Sequence, residues 1–240
     1  MPRSITEAII LAGGLGTRLR SAVPDLPKCM APVNGVPFIA YVVNHFRAQG
    51  IQRFVFALGY KSEAFESFLH TLLPAGNYEL SVENEPLGTG GAIRLACSKT
   101  SEPDIIVANG DTLFCIDMQS LAAFHARKNA QCTLALKPME TFSRYGAVQL
   151  NEDQSVESFT EKRYFDQGLI NGGIYVLNIP AFLQKELPYK FSFEKEYLER
   201  FYKEGTIFGM AANEYFIDIG IPEDYSRAQV ELPAGNKRGN

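Results

Sequence analysis

The sequence predicts an α/β fold: a Rossmann-like, mixed but mainly parallel sheet flanked by helices, with a smaller lobe appended toward the carboxyl end. Two observations carry this expectation. Over residues 7–136 short apolar, β-rich runs alternate with amphipathic stretches, the rhythm of repeated βα units whose parallel strands are covered on both faces. After Lys137 the spacing changes to short strands separated by polar or glycine-containing turns, the pattern of antiparallel pairs.

Taken in order, residues 8–12 (Ala-Ile-Ile-Leu-Ala), 54–58 (Phe-Val-Phe-Ala-Leu), 80–83 (Leu-Ser-Val-Glu) and 105–108 (Ile-Ile-Val-Ala) are read as strands. Between and after them, residues 38–49, 62–73, 91–97 and 121–128 are amphipathic and are read as helices. The later portion gives strands at 147–150, 156–160 and 170–177 and a helix around 193–202. No Pro/Ser-rich linker divides the chain, so residues 1–240 are expected to form one unit: a first lobe to about 136, a second over about 137–230, and a tail at 231–240. Ligands of such sheets bind beyond the carboxyl ends of the strands. The expected site is therefore a cleft between those loops and the second lobe.

Of the 240 residues, 46% are hydrophobic and 21% charged, enough apolar surface to bury a core and too much for a disordered chain. The net charge of -4 argues against nucleic acid and anionic membranes as partners. Cys29, Cys97, Cys115 and Cys132 lack Cys-x-x-Cys spacing and are read as reduced thiols. No apolar run approaches the roughly 18 residues of a spanning helix, and the first residues lack a signal-peptide profile. The expected compartment is the cytoplasm.

Chemistry is expected first in Leu11-Ala12-Gly13-Gly14-Leu15-Gly16-Thr17-Arg18-Leu19. A glycine-rich turn directly after a buried strand exposes backbone N–H groups, and Arg18 adds a cation, both suited to a polyphosphate. The Gly-Lys-Ser/Thr ending of a P-loop is missing, and Arg18 stands where a dinucleotide fingerprint has its third glycine. Lys28 follows, held between Pro27 and Pro32. An isolated lysine is usually a solvated surface group, but a rigid loop beside a phosphate-binding turn suits one that meets a single phosphate. Residues 83–92 (Glu-Asn-Glu-Pro-Leu-Gly-Thr-Gly-Gly-Ala) read as a strand end, a glycine turn and a helix start. The run Ile105-Ile106-Val107-Ala108-Asn109-Gly110-Asp111 is a buried strand ending in a carboxylate, suited to a hard divalent cation or, more plainly, to an Asx turn.

Together these segments resemble the sugar-1-phosphate nucleotidyltransferase family, whose motifs include Gly-x-Gly-Thr-Arg and Pro-Lys-x-x-x-Pro-Val, in the same order from about residue 7 to about residue 225. The resemblance implies the nucleotide-diphospho-sugar transferase fold and transfer of a nucleotidyl group from a nucleoside triphosphate to a sugar 1-phosphate, releasing pyrophosphate. It implies nucleotide contacts from Leu11, Ala12, Gly13, Gly14, Gly16, Thr17, Glu83, Asn84, Gly88, Thr89 and Asn109. Glu83, Asn84 and Glu85 supply acceptors that match the donors of guanine, and Gly88 permits close approach of a planar base. The ending Asp218-Ile219-Gly220-Ile221-Pro222-Glu223-Asp224-Tyr225 resembles the family's Asp-x-Gly-x-Pro-x-Asp-Tyr. Asp111 and Asp218 would then hold Mg²⁺, with Glu223 and Asp224 opening a helix.

Gly110, Tyr145, Gly146, Glu161, Lys162 and Asn171 match the family's sugar-phosphate positions, with Lys162 on the phosphate. Arg18, Lys28, Asp111, Lys162 and Asp218 would be the catalytic set, acting by positioning and charge neutralisation. The stretch from Leu19 to Lys28 lacks Pro-Leu-Thr and is most similar to the branch that joins GTP to D-glycero-D-manno-heptose 1-phosphate for surface polysaccharide (lipopolysaccharide, capsule or S-layer glycan). Another sugar 1-phosphate with UTP or GTP, or a noncatalytic sugar-nucleotide sensor, stays open. So does the oligomeric state. Cys29 stands where the family commonly has proline; the residue after the lysine is not expected to be chemical, although a thiol there could make activity oxidant-sensitive. No further catalytic domain is expected after residue 225.

Overall fold

The computed structural model describes residues 4–14, 27–59 and 63–233. Gly16, Thr17 and Arg18 lie outside the described residues.

The chain enters through β1 (Glu7–Leu11), a run with no polar residue after Glu7, as a central strand buried on both faces requires. A short 3₁₀ turn (Lys28–Met30) leads to a two-stranded ribbon, β2 (Pro32–Val33) and β3 (Val36–Pro37). Helix α1 (Phe38–Ala48) follows Pro37, and Phe38, Ile39, Val42, Val43 and Phe46 form its buried stripe. β4 (Arg53–Leu58), α2 (Glu63–Leu72), β5 (Tyr78–Val82), α3 (Gly88–Cys97) and β6 (Asp104–Asn109) continue the βα rhythm. β4 and β6 pair with β1 in parallel on its two sides, and β5 pairs in parallel with β4.

β7 (Thr112–Phe114) precedes α4 (Met118–Lys128). The Asp117 side chain caps α4 by accepting from Ser120 N at 2.7 Å, a cap typically worth about 1 kcal/mol.

The antiparallel portion consists of β8 (Cys132–Phe142), β9 (Ala147–Leu150), β10 (Val156–Thr160) and β11 (Phe165–Asn178). β8 runs unbroken through residue 136, and β11 is antiparallel to β6 along one half and to β9 along the other. The strands after Lys137 therefore extend the central sheet, and what changes there is the strand partner. α5 (Ile179–Leu183), a π-helix (Phe193–Leu198), α6 (Glu199–Phe201), β12 (Ile207–Ala211), β13 (Phe216–Asp218) and α7 (Pro222–Glu231) complete the described chain. β12 adds to β8 in parallel. β13 pairs with β7 in a separate ribbon, placing Asp218 opposite Thr112. Glu223 and Asp224 occupy the first turn of α7, as expected from the sequence.

Side-chain alternation divides the core into two layers. Ala8, Ile10, Phe54, Phe56, Leu58, Ile106 and Ala108 face one layer, which contains the buried stripe of α1. Ile9, Val55, Ala57, Ile105 and Val107 face the other, which contains Phe182, Phe193 and Tyr197. Full burial of such a side chain contributes roughly 1.5–3 kcal/mol.

The amino ends of the parallel strands are joined by an ionic clamp. Glu7, 4% exposed, accepts from Arg53 Nη1 (2.9 Å), Ser101 N (2.8 Å) and Ser101 Oγ (2.8 Å). Arg53 also pairs with Glu79 on β5, so one carboxylate and one guanidinium tie β1, β4, β5 and the approach to β6.

Candidate active site

At the opposite, carboxyl edge of the sheet the strand ends converge. Ala12 N donates to Ala57 O (2.9 Å) and Gly110 N to Leu11 O (2.8 Å), stitching the exits of β1, β4 and β6 together. Gly13 is dictated by this closeness: a Cβ there would lie 2.6 Å from Gly59 N. Leu11, Ala12, Gly13, Gly14, Lys28, Cys29, Asn109 and Asp111 line a cavity of about 190 Å³. A second cavity, about 300 Å³, is lined by Thr112, Tyr145, Gly146, Lys162 and Asn171, together with Gly172, Gly173, Glu194, Phe216 and Asp218. Asn109 lines both.

A three-residue ionic cluster sits where the cavities meet. Asp111 follows β6, Asp218 ends β13, and the β7–β13 ribbon together with Ile219 N donating to Asp111 O (3.1 Å) brings them side by side. Lys28 Nζ lies 2.5 Å from Asp111 Oδ2 and 3.3 Å from Asp218 Oδ1. The lysine is aimed by its 3₁₀ turn, anchored through the buried Cys29 and Met30. Burial works to lower the Lys28 pKa, but the charges and hydrogen bonds of the two aspartates outweigh it and the net shift is upward. Asp218 is also shifted upward: burial and the neighbouring Asp111 charge raise it against the opposing pull of Lys28. Gly220 N donates to Asp218 Oδ1 (2.8 Å). Tyr145 OH donates to Asp218 Oδ2 (3.4 Å). Burial and the Asp218 charge raise the pKa of Tyr145, keeping its phenol protonated.

Behind Tyr145, Arg144 pairs with the buried Asp224 of α7, which also receives Arg227 Nη1 at 3.0 Å. This fixes the loop carrying Tyr145 and Gly146 against α7.

The structure thus gathers Leu11, Ala12, Gly13, Gly14, Lys28, Asn109 and Asp111 around one cavity and Tyr145, Gly146, Lys162, Asn171 and Asp218 around the other. Other residues singled out in the sequence line neither. Gly110 sits where a Cβ would meet Leu11 O at 2.9 Å. Glu161 is exposed at the end of β10. Glu83 Oε2 accepts from Leu87 N (3.1 Å), closing the turn before α3, and Glu85 pairs with Lys190. Asn84 is exposed in the same turn. Gly88 has φ +75° and would place a Cβ 2.5 Å from Phe191 O, so the backbone it admits closely is that of Phe191. Thr89 bonds to Glu194 and Phe193.

Thr112, Gly172, Gly173, Glu194 and Phe216 also line the larger cavity and were not singled out in the sequence. Thr112, Gly172, Gly173 and Phe216 are close in sequence to residues that were, which was the available signal. Glu194 arrives on the π-helix, far from any recognised motif.

Cys29 decides between its two sequence readings. It is 3% exposed, its thiol donates to Ala12 O, and burial pushes its pKa well up. Thiol reactivity needs the thiolate, so this cysteine is a packing residue rather than an oxidation sensor.

Among the described residues no cluster of three or more His, Cys, Asp or Glu side chains forms a self-sufficient metal cage. None of the described helices is long and apolar enough to cross a membrane.

Residues 7–235 match the nucleotidyl transferase family. The chain is 46% identical over 226 residues to D-glycero-alpha-D-manno-heptose 1-phosphate guanylyltransferase of Aneurinibacillus thermoaerophilus, covering 94% of this chain and 98% of that one. It is 44% identical to the enzyme of the same name from Campylobacter jejuni, covering 91% and 96%. Its fold matches the crystal structure of HddC from Yersinia pseudotuberculosis complexed with GMP-PN, with a TM-score of 0.84, 35% identity and coverage of 95% and 100%.

Proposed function

The chain belongs to the nucleotidyl transferase family, and on that footing we propose that it joins GTP to D-glycero-α-D-manno-heptose 1-phosphate, giving GDP-heptose and pyrophosphate. The observation that carries this reading is the pair of cavities sharing Asn109, with Lys28 bridging the aspartate of one to the aspartate of the other. A transferase needs two substrates held end to end with compensating charge at the point of transfer, which this arrangement supplies. The heptose and the guanine rest on the names of the two bacterial relatives and on the GMP-PN in the HddC crystal structure.

The smaller cavity would take the nucleoside triphosphate, with the Gly13–Gly14 backbone toward the phosphates and Arg18 toward the departing pyrophosphate. The larger cavity would take the sugar 1-phosphate, its phosphate drawn to Lys162. That phosphate is itself the nucleophile. With a second pKa of about 6 it is mostly dianionic at neutral pH and needs no general base. Lys28 would steady the charge that passes between the two phosphates. Asp111 and Asp218 fit Mg²⁺, which is commonly held by one or two carboxylates plus substrate phosphates; bound there, it would supply charge neutralisation at the reacting phosphates. Residues 83–88 remain the proposed base-facing segment; the Thr89 side chain, expected from the sequence to meet the nucleotide, is engaged by Glu194 and Phe193 instead. The first lobe, to about residue 136, would serve the nucleotide and the remainder the sugar. All four cysteines are free, which supports a reducing cytoplasm, where an activated heptose for surface polysaccharide would be made.

The test is pyrophosphate release with Mg²⁺, crossing GTP, UTP, CTP, dTTP and ATP against heptose, mannose, glucose and N-acetylmuramate 1-phosphates. Release confined to GTP with the manno-configured heptose phosphate is expected. Release with another pair would keep the chemistry and change the substrate, and release with none would favour a noncatalytic sensor. Lys162→Ala is expected to raise KM for the sugar phosphate by about tenfold or more, the loss of one charge-assisted contact, with KM for GTP changed less than about twofold. Equal weakening of both substrates would remove Lys162 from the sugar-phosphate site.

A further inference from the structure

We propose that Glu194 accepts a hydroxyl group of the sugar in the larger cavity and that Thr89 is the residue that positions it; this rests on the sugar-phosphate reading of that cavity. Glu194 lines the cavity although no sequence motif contains it. Its Oε2 atom receives two hydroxyl donors, Thr89 Oγ1 at 2.8 Å and Ser192 Oγ at 2.8 Å. The Thr89 oxygen also accepts from Phe193 N at 2.8 Å, so the hydroxyl is used both ways and has one orientation. Glu194 Oε1 has no donor among the described residues. An ionised carboxylate is an acceptor only, and this one, held through Oε2, lines the cavity proposed to take a polyhydroxylated substrate.

Of the polar side chains expected from the sequence to read the sugar hydroxyls, Asn171 lines the cavity but is already engaged. Asn171 Oδ1 accepts from Gly173 N (3.0 Å) and its Nδ2 donates to Tyr175 OH (2.8 Å), shaping the bulge in β11. Glu161 does not line the cavity. Glu194 is thus a carboxylate of that wall distinct from the Asp218 already engaged by Lys28.

The carrier of Glu194 is rigid. Phe193 and Tyr197 of the π-helix are fully buried, with ring centroids 5.0 Å from Tyr175 and Phe182 respectively. π-Helical turns recur at functional sites, and this one carries the partly exposed Glu194 directly after the buried Phe193. The charges give the cavity a direction. Lys162 attracts a phosphate and Glu194 repels one, so a sugar 1-phosphate seated between them would turn its hydroxyls toward the π-helix.

The test compares steady-state constants for both substrates in wild type, Glu194→Ala, Glu194→Gln, Thr89→Val and Thr89→Ser, each checked for folding by circular dichroism and melting. Glu194→Ala is expected to raise KM for the sugar phosphate by about tenfold or more, the effect of losing a hydrogen bond to a charged group, with KM for GTP changed less than about twofold. Thr89→Val moves the sugar KM in the same direction and Thr89→Ser restores it. Sugar phosphates each lacking one hydroxyl complete the test: for one of them, wild type and Glu194→Ala share the same KM. If Glu194→Ala does not fold, Glu194→Gln carries the same comparison. An unchanged sugar KM in a folded variant, or a matched rise in the GTP KM, overturns the proposal while leaving the transferase reading intact. Failure of the wild type to release pyrophosphate with every pair overturns both.

Discussion

Asp111→Ala is expected to lower turnover at saturating substrates by about a thousandfold or more, since removal of preorganised charge at a reacting phosphate costs several kcal/mol of transition-state stabilisation, while the protein stays folded. Three features separate activity from stability at this position. The Asp111 side chain is 31% exposed, so little packing is lost, and its carbonyl, which accepts from Ile219 N, is untouched. Lys28 keeps Asp218 as a partner at 3.3 Å, so no buried charge is orphaned. A partly exposed ion pair contributes up to about 1 kcal/mol, and the melting temperature should move by only a few degrees. Pyrophosphate release and a thermal melt on the same preparation check both halves. Full activity in a folded Asp111→Ala protein would remove Asp111 from the proposed catalytic set.

Glu7→Ala is expected to behave in the opposite way, costing about 2 kcal/mol or more of folding stability through loss of the hydrogen bonds that the buried carboxylate receives from Arg53 and Ser101, with turnover per folded molecule unchanged. The carboxylate holds Arg53 and Ser101 at the amino ends of three neighbouring strands, while the cavities lie at the carboxyl ends. Stability should also become acid-sensitive through this group. Burial opposes the ionised form of Glu7, but the hydrogen bonds from Ser101 and the Arg53 guanidinium outweigh it and hold the pKa below its ordinary 4.5. A carboxyl group depressed by folding stabilises the native state above its unfolded pKa and loses that contribution as pH falls through the lower folded value. Urea titrations at pH 7 and below pH 4 should therefore show wild type and Glu7→Ala converging in acid. A constant gap across that range would mean that the clamp acts through packing alone.

Much of the fold was legible because its signals are local. The apolar runs of β1, β4 and β6 and the amphipathic pattern of α1 each announce a buried strand or a one-sided helix within a dozen residues. β8 and β12 were not singled out, although both are apolar enough to qualify: their pairing joins residue 132 to residue 207, a relation no local window contains. The site shows the same division. Gly13, Lys28 and Asp111 stand in short motifs and line the cavities. Glu83 and Thr89 stand in a motif too, yet their side chains are tied to Leu87 N and to Glu194, a use that depends on where residues 191–194 fold back. Glu194 itself had no motif to announce it.

The unbroken course of β8 and β11 sets the unit in which this molecule can be recombined. Substituting the part proposed to face the sugar with that of a relative by splicing at residue 136 would cut β8 in mid-ladder and strand half of β11 against β6 without its neighbour. A viable exchange must carry β8, β9, β10, β11 and β12 as one block. New acceptor preferences are therefore more readily reached by point changes on the cavity wall than by trading segments of chain.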